Sequence, residues 1–225
     1  AQEVRALLVG RKLLQGKLRD VEFSIRGILR GFGLKVGEVS KGRFAARVEE
    51  LIGGHAMLEA VIGAMLTARA GLHTEFMRLH RRVLAIVRAD RVCRRLMTVP
   101  GVGALVAVTF KVTVDDPGRF TSSKAVGAHF GLTPKRYQSG ETDVTGGISK
   151  VGDAMVRTAL YEAANVLLSR TTRFSTLKRW AIAVAQRRGA KRAKVALARK
   201  LASVLHRMWV DGSEFRWGKQ APAAA

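Results

Sequence analysis

Residues 4–32 read VRALLVGRKLLQGKLRDVEFSIRGILRGF, and their spacing decides the fold. Val4, Leu7, Arg11, Leu14, Leu18, Val21, Ile25, Ile28 and Phe32 step alternately by three and four residues. That is the roughly 3.5-residue period of a coiled-coil seam, broken only by Arg11. The glycines of Gly31-Phe-Gly-Leu-Lys-Val-Gly37 end the helix. A second seam repeats the pattern through Leu58, Ile62, Met65, Arg69, Leu72, Phe76, Leu79, Val83 and Ile86. At about 1.5 Å rise per residue, each such helix is roughly 40–60 Å long. Between them, Phe44, Val48, Leu51 and Ile52 suit a short helix ended by Gly53-Gly54. The object expected for residues 1–95 is an antiparallel helical hairpin, or coiled coil, that pairs with another copy as a dimer or tetramer. A bundle closed within one chain is the alternative. Arg11 and Arg69 are expected at the edges of the seam, stems packed and heads in water.

Outward from this framework, the charge balance is extreme. The 225 residues hold 40 Lys and Arg against 17 Asp and Glu, a net charge of +23 and a pI near 11.5. No fold needs that excess, and self-repulsion opposes it, so a polyanionic partner is expected. Nucleic acid is the first candidate, because Lys and Arg neutralise phosphate. An anionic membrane surface is the weaker one, since no lipidation motif is visible. Hydrophobic residues make up 48%, which excludes a disordered basic tail. The single cysteine, Cys93, excludes a disulfide framework and a multi-cysteine zinc site, and fits a reducing compartment. No apolar run approaches the ~18 residues of a membrane span, and no signal-peptide order opens the chain.

The character changes near Met97. Residues 96–212 are expected to form a compact helical domain, and 213–225, with Ala221-Pro-Ala-Ala-Ala225, a flexible tail. Val99-Pro100-Gly101-Val102-Gly103 precedes an apolar run and has the pattern of a helix-hairpin-helix turn. Backbone N–H groups at Gly101 and Gly103 would then hold a phosphate, the alternative being an ordinary glycine turn. Asp115-Asp116-Pro117-Gly118 reads as a turn rather than a metal site. Thr121, Ser122 or Ser123 is expected to cap the helix after it.

Lys135-Arg136-Tyr137-Gln138-Ser139-Gly140 lacks a helical period, and a short β-hairpin around Tyr137 to Thr145 fits it. A serine nucleophile needs exposure and nearby cations, here Lys135, Arg136, Lys150 and Arg157. By itself a loop serine is more often merely solvated. No acidic residue lies between Glu162 and Asp211, and Arg187, Arg188, Lys191, Arg192 and Lys194 make a basic stripe, the chosen phosphate-contacting surface. The five histidines form no zinc signature and read as structural or surface residues. Trp180, Trp209 and Trp217 are expected to pack the C-terminal helices, with base stacking as the alternative role.

Together, Val99-Pro-Gly-Val-Gly103, Gly118-Arg-Phe120, Gly131-Leu-Thr-Pro134, Gln138-Ser-Gly140, Ile148-Ser-Lys150 and Leu160-Tyr-Glu-Ala-Ala164 resemble, in order and spacing, the C-terminal domain of the insertion-sequence one-ten family of transposases. The resemblance extends to the coiled-coil region before Val99. It implies a DNA recombinase of bacterial or archaeal mobile elements, cytoplasmic and nucleoid-associated, with structured guide RNA as a partner. It implies a serine that joins covalently to DNA, and the matching residue is Ser139. It also implies a separate RuvC-like domain whose acidic residues hold magnesium, supplied across an oligomer. That domain has no counterpart here. The chain is therefore expected to be a truncated copy, a decayed reading frame or an excised domain, holding no metal and inactive alone. The competing readings are a non-catalytic nucleic-acid-binding and dimerisation module, and an architectural RNA binder. The fold expected throughout is all-α.

Overall fold

The computed structural model describes residues 1–139 and 141–218; the alanine-rich segment expected to form the end of the tail lies outside them. The chain is mainly α, with one small antiparallel sheet. It divides into two units, residues 6–83 and residues 1–5 with 84 onward, so the division falls inside two long helices.

The first unit contains most of α1 (Gln2–Gly31), all of α2 (Phe44–Ile52) and most of α3 (Ala56–Ala89). The alternating steps of three and four residues place the apolar side chains on one stripe of each helix. Ile25, Leu29, Phe44, Val48, Ile52 and Ile62 close into one buried cluster, with Val21, Ile28 and Met65 packed against it. Phe32, assigned to the seam, is exposed, because α1 has already ended at Gly31.

The two seam arginines are not at a wet edge; each is only 8% exposed. Arg11 donates from Nε to His80 Nδ1 at 3.2 Å and from a terminal nitrogen to Gln15 at 3.4 Å, and it lies over the Phe76 ring. Burial, then the charge of Arg11, pushes the His80 pKa down, which keeps the ring neutral and able to accept. Arg69 bonds Glu22 at 2.8 and 2.7 Å and the Lys41 carbonyl at 3.1 Å, and lies over Phe44. A guanidinium is tolerated in a seam when its donors are met inside it, and removal of one partner would leave a buried charge unpaired. Periodicity reveals the seam position but not the partner.

The second unit is built around α9 (Ala190–Asp211). Ala193, Leu197, Ala198, Leu201, Ala202 and Leu205 are fully buried along it. Around it pack α6 (Ala125–His129), α7 (Ala154–Ser169) and α8 (Thr176–Arg188). The remaining helices are α4 (Arg91–Leu96) and α5 (Ala104–Val114), and α5 packs on α7. A 3₁₀ turn, Pro117–Arg119, follows α5; the Asp116 carboxylate accepts from Gly118 N–H at 2.8 Å, so the acidic pair makes a turn.

The hydroxyls before α6 do not cap it. Ser123 Oγ instead meets His206 Nδ1 at 2.9 Å, while His206 Nε2 meets the Pro117 carbonyl at 2.9 Å. A carbonyl only accepts, so Nε2 carries the proton and, in the neutral ring, Ser123 donates to Nδ1. His206, 2% exposed, thus ties α9 to the turn and to the start of α6. Within the stretch expected to begin a flexible tail, Phe215 and Trp217 make contacts with the second unit. Phe215 N–H donates to Thr98 Oγ1 at 3.0 Å, Thr176 N–H donates to the Trp217 carbonyl at 3.1 Å, and Arg173 lies over the Trp217 ring.

Two aspartates begin helices here. Asp153 accepts from Val156 N–H and pairs with Arg5. Burial raises its pKa, but the Val156 and Arg5 contacts outweigh this and hold it below the ordinary value. Asp90 behaves alike: burial is outweighed by Lys111 and the Cys93 N–H. Burial and the Asp90 charge push the Cys93 thiol up to about 12, so it stays protonated and inert. A depressed carboxylate pKa makes the folded state bind fewer protons than the unfolded one. Its stabilisation is therefore complete above about pH 5 and is lost as pH falls through the carboxylate range. The expected result is a denaturation midpoint that drops below about pH 4, and drops less in Asp153→Asn. An equal acid dependence in both proteins would remove Asp153 from this account.

Candidate nucleic-acid interface

β1 (Pro134–Ser139) and β2 (Thr142–Ile148) form the antiparallel hairpin expected near Tyr137. Ser139 is the last residue of β1 and its backbone partner is Thr142. It is exposed, and alternation along the strand puts it on the face shared by Tyr137 and Val144, both exposed. Arg136 and Gln138 belong to the opposite face. Residues close in sequence are thereby separated: Arg136, three strand positions from Ser139, does not share its side. Lys135 is also exposed, next to an irregularity in the pairing between Pro134 and Arg136.

An isolated two-stranded hairpin is marginal in water, so its orientation must come from its base. That base is a backbone interlock. Ser149 N–H donates to the Thr133 carbonyl at 2.9 Å and Lys150 N–H to the Gly131 carbonyl at 3.1 Å. Gly131, at φ +65°, and Gly152, at φ +85°, let the two segments touch; a Cβ on either would lie 2.2 Å from a carbonyl oxygen of the other, that of Val151 or His129. Arg157 reaches into the same place. One of its terminal nitrogens donates to the carbonyls of Phe130 at 3.1 Å and of Val151 and Gly152 at 3.3 Å. The structure thus gives Arg157 a positioning role at the foot of the hairpin. Lys150 is exposed at φ +58°.

Gly101 and Gly103 differ in the same way. Gly101, at φ +86°, packs on α7, where a Cβ would lie 2.4 Å from the Ala163 carbonyl oxygen. That contact explains the residue as close helix packing. Gly103 is exposed and begins α5.

The basic stripe turns a corner. α8 ends and α9 begins at Gly189, whose φ of +81° permits the reversal. Arg187 and Arg188 on one side of it, and Lys191 and Arg192 on the other, are exposed; Lys194 is half-buried. Lys178, also in the acid-free span, is buried, its ammonium bonded to the Thr171 carbonyl. Farther along α9, Arg199 and Lys200 are exposed, with Lys124 of the turn before α6 lining a cavity beside them. Lys124 was invisible to sequence reasoning, because it lies about seventy-five positions from those side chains in the chain and meets them only through the α6–α9 packing.

Among the described residues no three His, Cys, Asp or Glu side chains converge. Nor is any helix among them long and apolar enough to cross a membrane.

Residues 93–181 match the family described as "Transposase IS116/IS110/IS902 family". The chain is 30% identical over 223 residues to the "Transposase for insertion sequence element IS1111A" of Coxiella burnetii, covering 96% of this chain and 61% of that protein. A Sinorhizobium fredii relative is 30% identical over 225 residues, covering 96% and 57%. The "Transposase for insertion sequence element IS1328" of Yersinia enterocolitica is 32% identical over 127 residues, covering 56% and 38%. The chain thus spans about three fifths of the length of the two relatives that match it almost from end to end.

Proposed function

The chain belongs to the IS116/IS110/IS902 family of insertion-sequence transposases, and from that premise we propose that it supplies the serine nucleophile and part of the DNA grip of a DNA recombinase. The observation that carries this reading is the placement of Ser139: exposed, at the end of a hairpin, on a base that is interlocked backbone to backbone. A rigid foot with an exposed hydroxyl is what presentation of a nucleophile to a large substrate requires. The step is a transesterification. Ser139 Oγ loses its proton and attacks a DNA phosphorus, a P–Oγ bond forms, and a P–O bond to deoxyribose breaks. The departing deoxyribose oxygen takes up a proton. No electrons change hands.

The transition state gathers negative charge on phosphate oxygens, which cations stabilise. Lys135 and Lys150 flank the hairpin for this purpose. Magnesium, where acidic residues hold it, polarises a phosphoryl oxygen; in this reading those residues belong to another domain. The exposed side chains Val9, Leu13 and Phe23 on α1 support self-association through the helical hairpin. A structured guide RNA as second partner, and a place in the cytoplasm at the nucleoid, belong to the same proposal.

The corner at Gly189 provides the main phosphate contacts. The test is the salt dependence of duplex binding. Each phosphate contact contributes about 0.9 to the slope of log affinity against log salt, so Arg187→Gln with Arg188→Gln lowers the slope by about 1.8. Affinity at physiological salt falls roughly thirtyfold by the same relation. An unchanged slope would assign the grip to another surface.

A further inference from the structure

Farther along α9, two openings share Lys200, Val204 and Arg207. The first is a cavity of about 500 Å³ with a polar, cationic lining. Lys124, Arg199, Lys200 and Arg207 supply the charge, and Ser123, Thr133 and Ser203 the hydroxyls. The Arg199 stem is pinned there, since it crosses α6 where a Cβ on Gly127 would come within 2.6 Å of Arg199 Cγ. The second, of about 670 Å³, has a different chemistry. Its walls include Trp180, Leu177, Met208 and Phe215, and Asp211 and Glu214 also line it. Trp180 is 37% exposed, with the Lys200 ammonium 5.5 Å from its ring centroid. Of the two roles expected for the tryptophans, packing and base stacking, this exposure suits Trp180 to the second.

We infer that these two cavities form one site for an unpaired nucleotide, with its phosphate against Lys124, Arg199 and Lys200 and its base on Trp180. The inference rests on the nucleic-acid reading above and names the form of nucleic acid taken. Lys124, Arg199 and Lys200 suit a phosphodiester, while Arg207 pairs with Asp211 at 3.2 Å. Carboxylates repel a phosphate but accept from the amino group of a base edge, so Asp211 and Glu214 orient the nucleotide with its base away from the cationic end. A base stacked in a duplex has both faces covered, so only an unpaired or extruded base offers one to an indole. The long Lys200 stem allows one ammonium to serve both the ring and the phosphate. Ribose and deoxyribose strands share this chemistry.

The test uses the full 225-residue chain and a short thymidine strand whose central nucleotide is 2-aminopurine, thymidine or an abasic sugar, with the matching duplex and a ribose strand alongside. Stacking on an aromatic side chain is worth about tenfold or more in affinity. The expected result is that the abasic strand binds the parent protein about tenfold more weakly than the 2-aminopurine strand. Trp180→Leu then erases that difference while duplex binding stays within about twofold. Equal binding of abasic and base-bearing strands by the parent protein overturns the pocket, with no variant needed. So does a Trp180→Leu loss shared equally by single strand and duplex. Failure of the parent to bind any strand or duplex overturns the nucleic-acid reading itself. Tighter binding of the ribose or of the deoxyribose strand identifies the source.

Discussion

If Ser139 is the nucleophile proposed above, replacing it by Ala is expected to abolish covalent joining of this chain to DNA and to leave its DNA affinity within about twofold. The change removes one exposed oxygen from the end of a strand whose register is held by backbone pairing. Exposed substitutions of this kind shift stability by less than about 0.5 kcal/mol, so the hairpin persists. The measurement mixes the chain with a full-length family member that keeps its acidic domain but has lost its own serine, and follows labelled DNA into a denaturant-resistant adduct. Loss of a nucleophile costs at least about a thousandfold in rate, well below detection in such an assay. An adduct that persists in Ser139→Ala would place the nucleophile elsewhere. Adduct formation that survives removal of the positioning residue Arg157 would show that the foot of the hairpin need not be rigid.

Gly131→Ala or Gly152→Ala unfolds the serine hairpin's base and carries much of the second unit with it. Two costs combine at each position. A positive φ near 65° or 85° costs a side-chain-bearing residue about 1–3 kcal/mol. A Cβ 2.2 Å from a carbonyl oxygen cannot be relieved by turning a side chain, because the obstacle is backbone. The Val151 carbonyl that a Cβ on Gly131 would strike is also one that Arg157 binds, so a displacement there breaks that clamp too. A loss of at least about 3 kcal/mol is expected, a large share of the stability of a domain this size. Chemical denaturation measures it, with Gly147→Ala as control, since a Cβ there meets nothing within 4 Å. A variant of Gly131 as stable as that control would remove the interlock from the account.

The two predictions act on one object at different levels, the first on its proposed nucleophile and the second on the frame that holds it. Folding stability and chemistry should therefore separate in the Ser139 variant and fail together in the glycine variants. The same distinction divides the motif residues. Gly101, Gly131, Gly152 and Arg157 belong to the frame, whereas Ser139, Lys135 and Lys150 are exposed.

Much was legible in the chain alone. The two seams predict long helices because a helix puts every third and fourth side chain on one stripe, and the seam residues Leu18, Ile25, Ile62 and Val83 are buried as that rule requires. The hairpin at Tyr137 follows from extended-chain propensity beside glycine. The acid-free span after Glu162 announced a cationic surface before any coordinates. These are local properties, set by the period of a helix, the pleat of a strand and the charge of a segment.

What local pattern does not encode is which distant groups meet. Arg11 and Arg69 looked misplaced in an apolar seam until His80, Glu22 and the Lys41 carbonyl proved to be inside it. Ser123 looked like a cap until His206, far along the chain, proved to accept its hydrogen bond. Arg157, read from the sequence as a phosphate contact, also bonds the carbonyls of Phe130, Val151, Gly152 and Asp153 through one terminal nitrogen. The glycines of the motifs marked turns, but only the tertiary structure shows them pressed against backbone. Burial is the physical reason for each difference. A polar group removed from water must find its partner within the protein, and long-range packing alone chooses that partner.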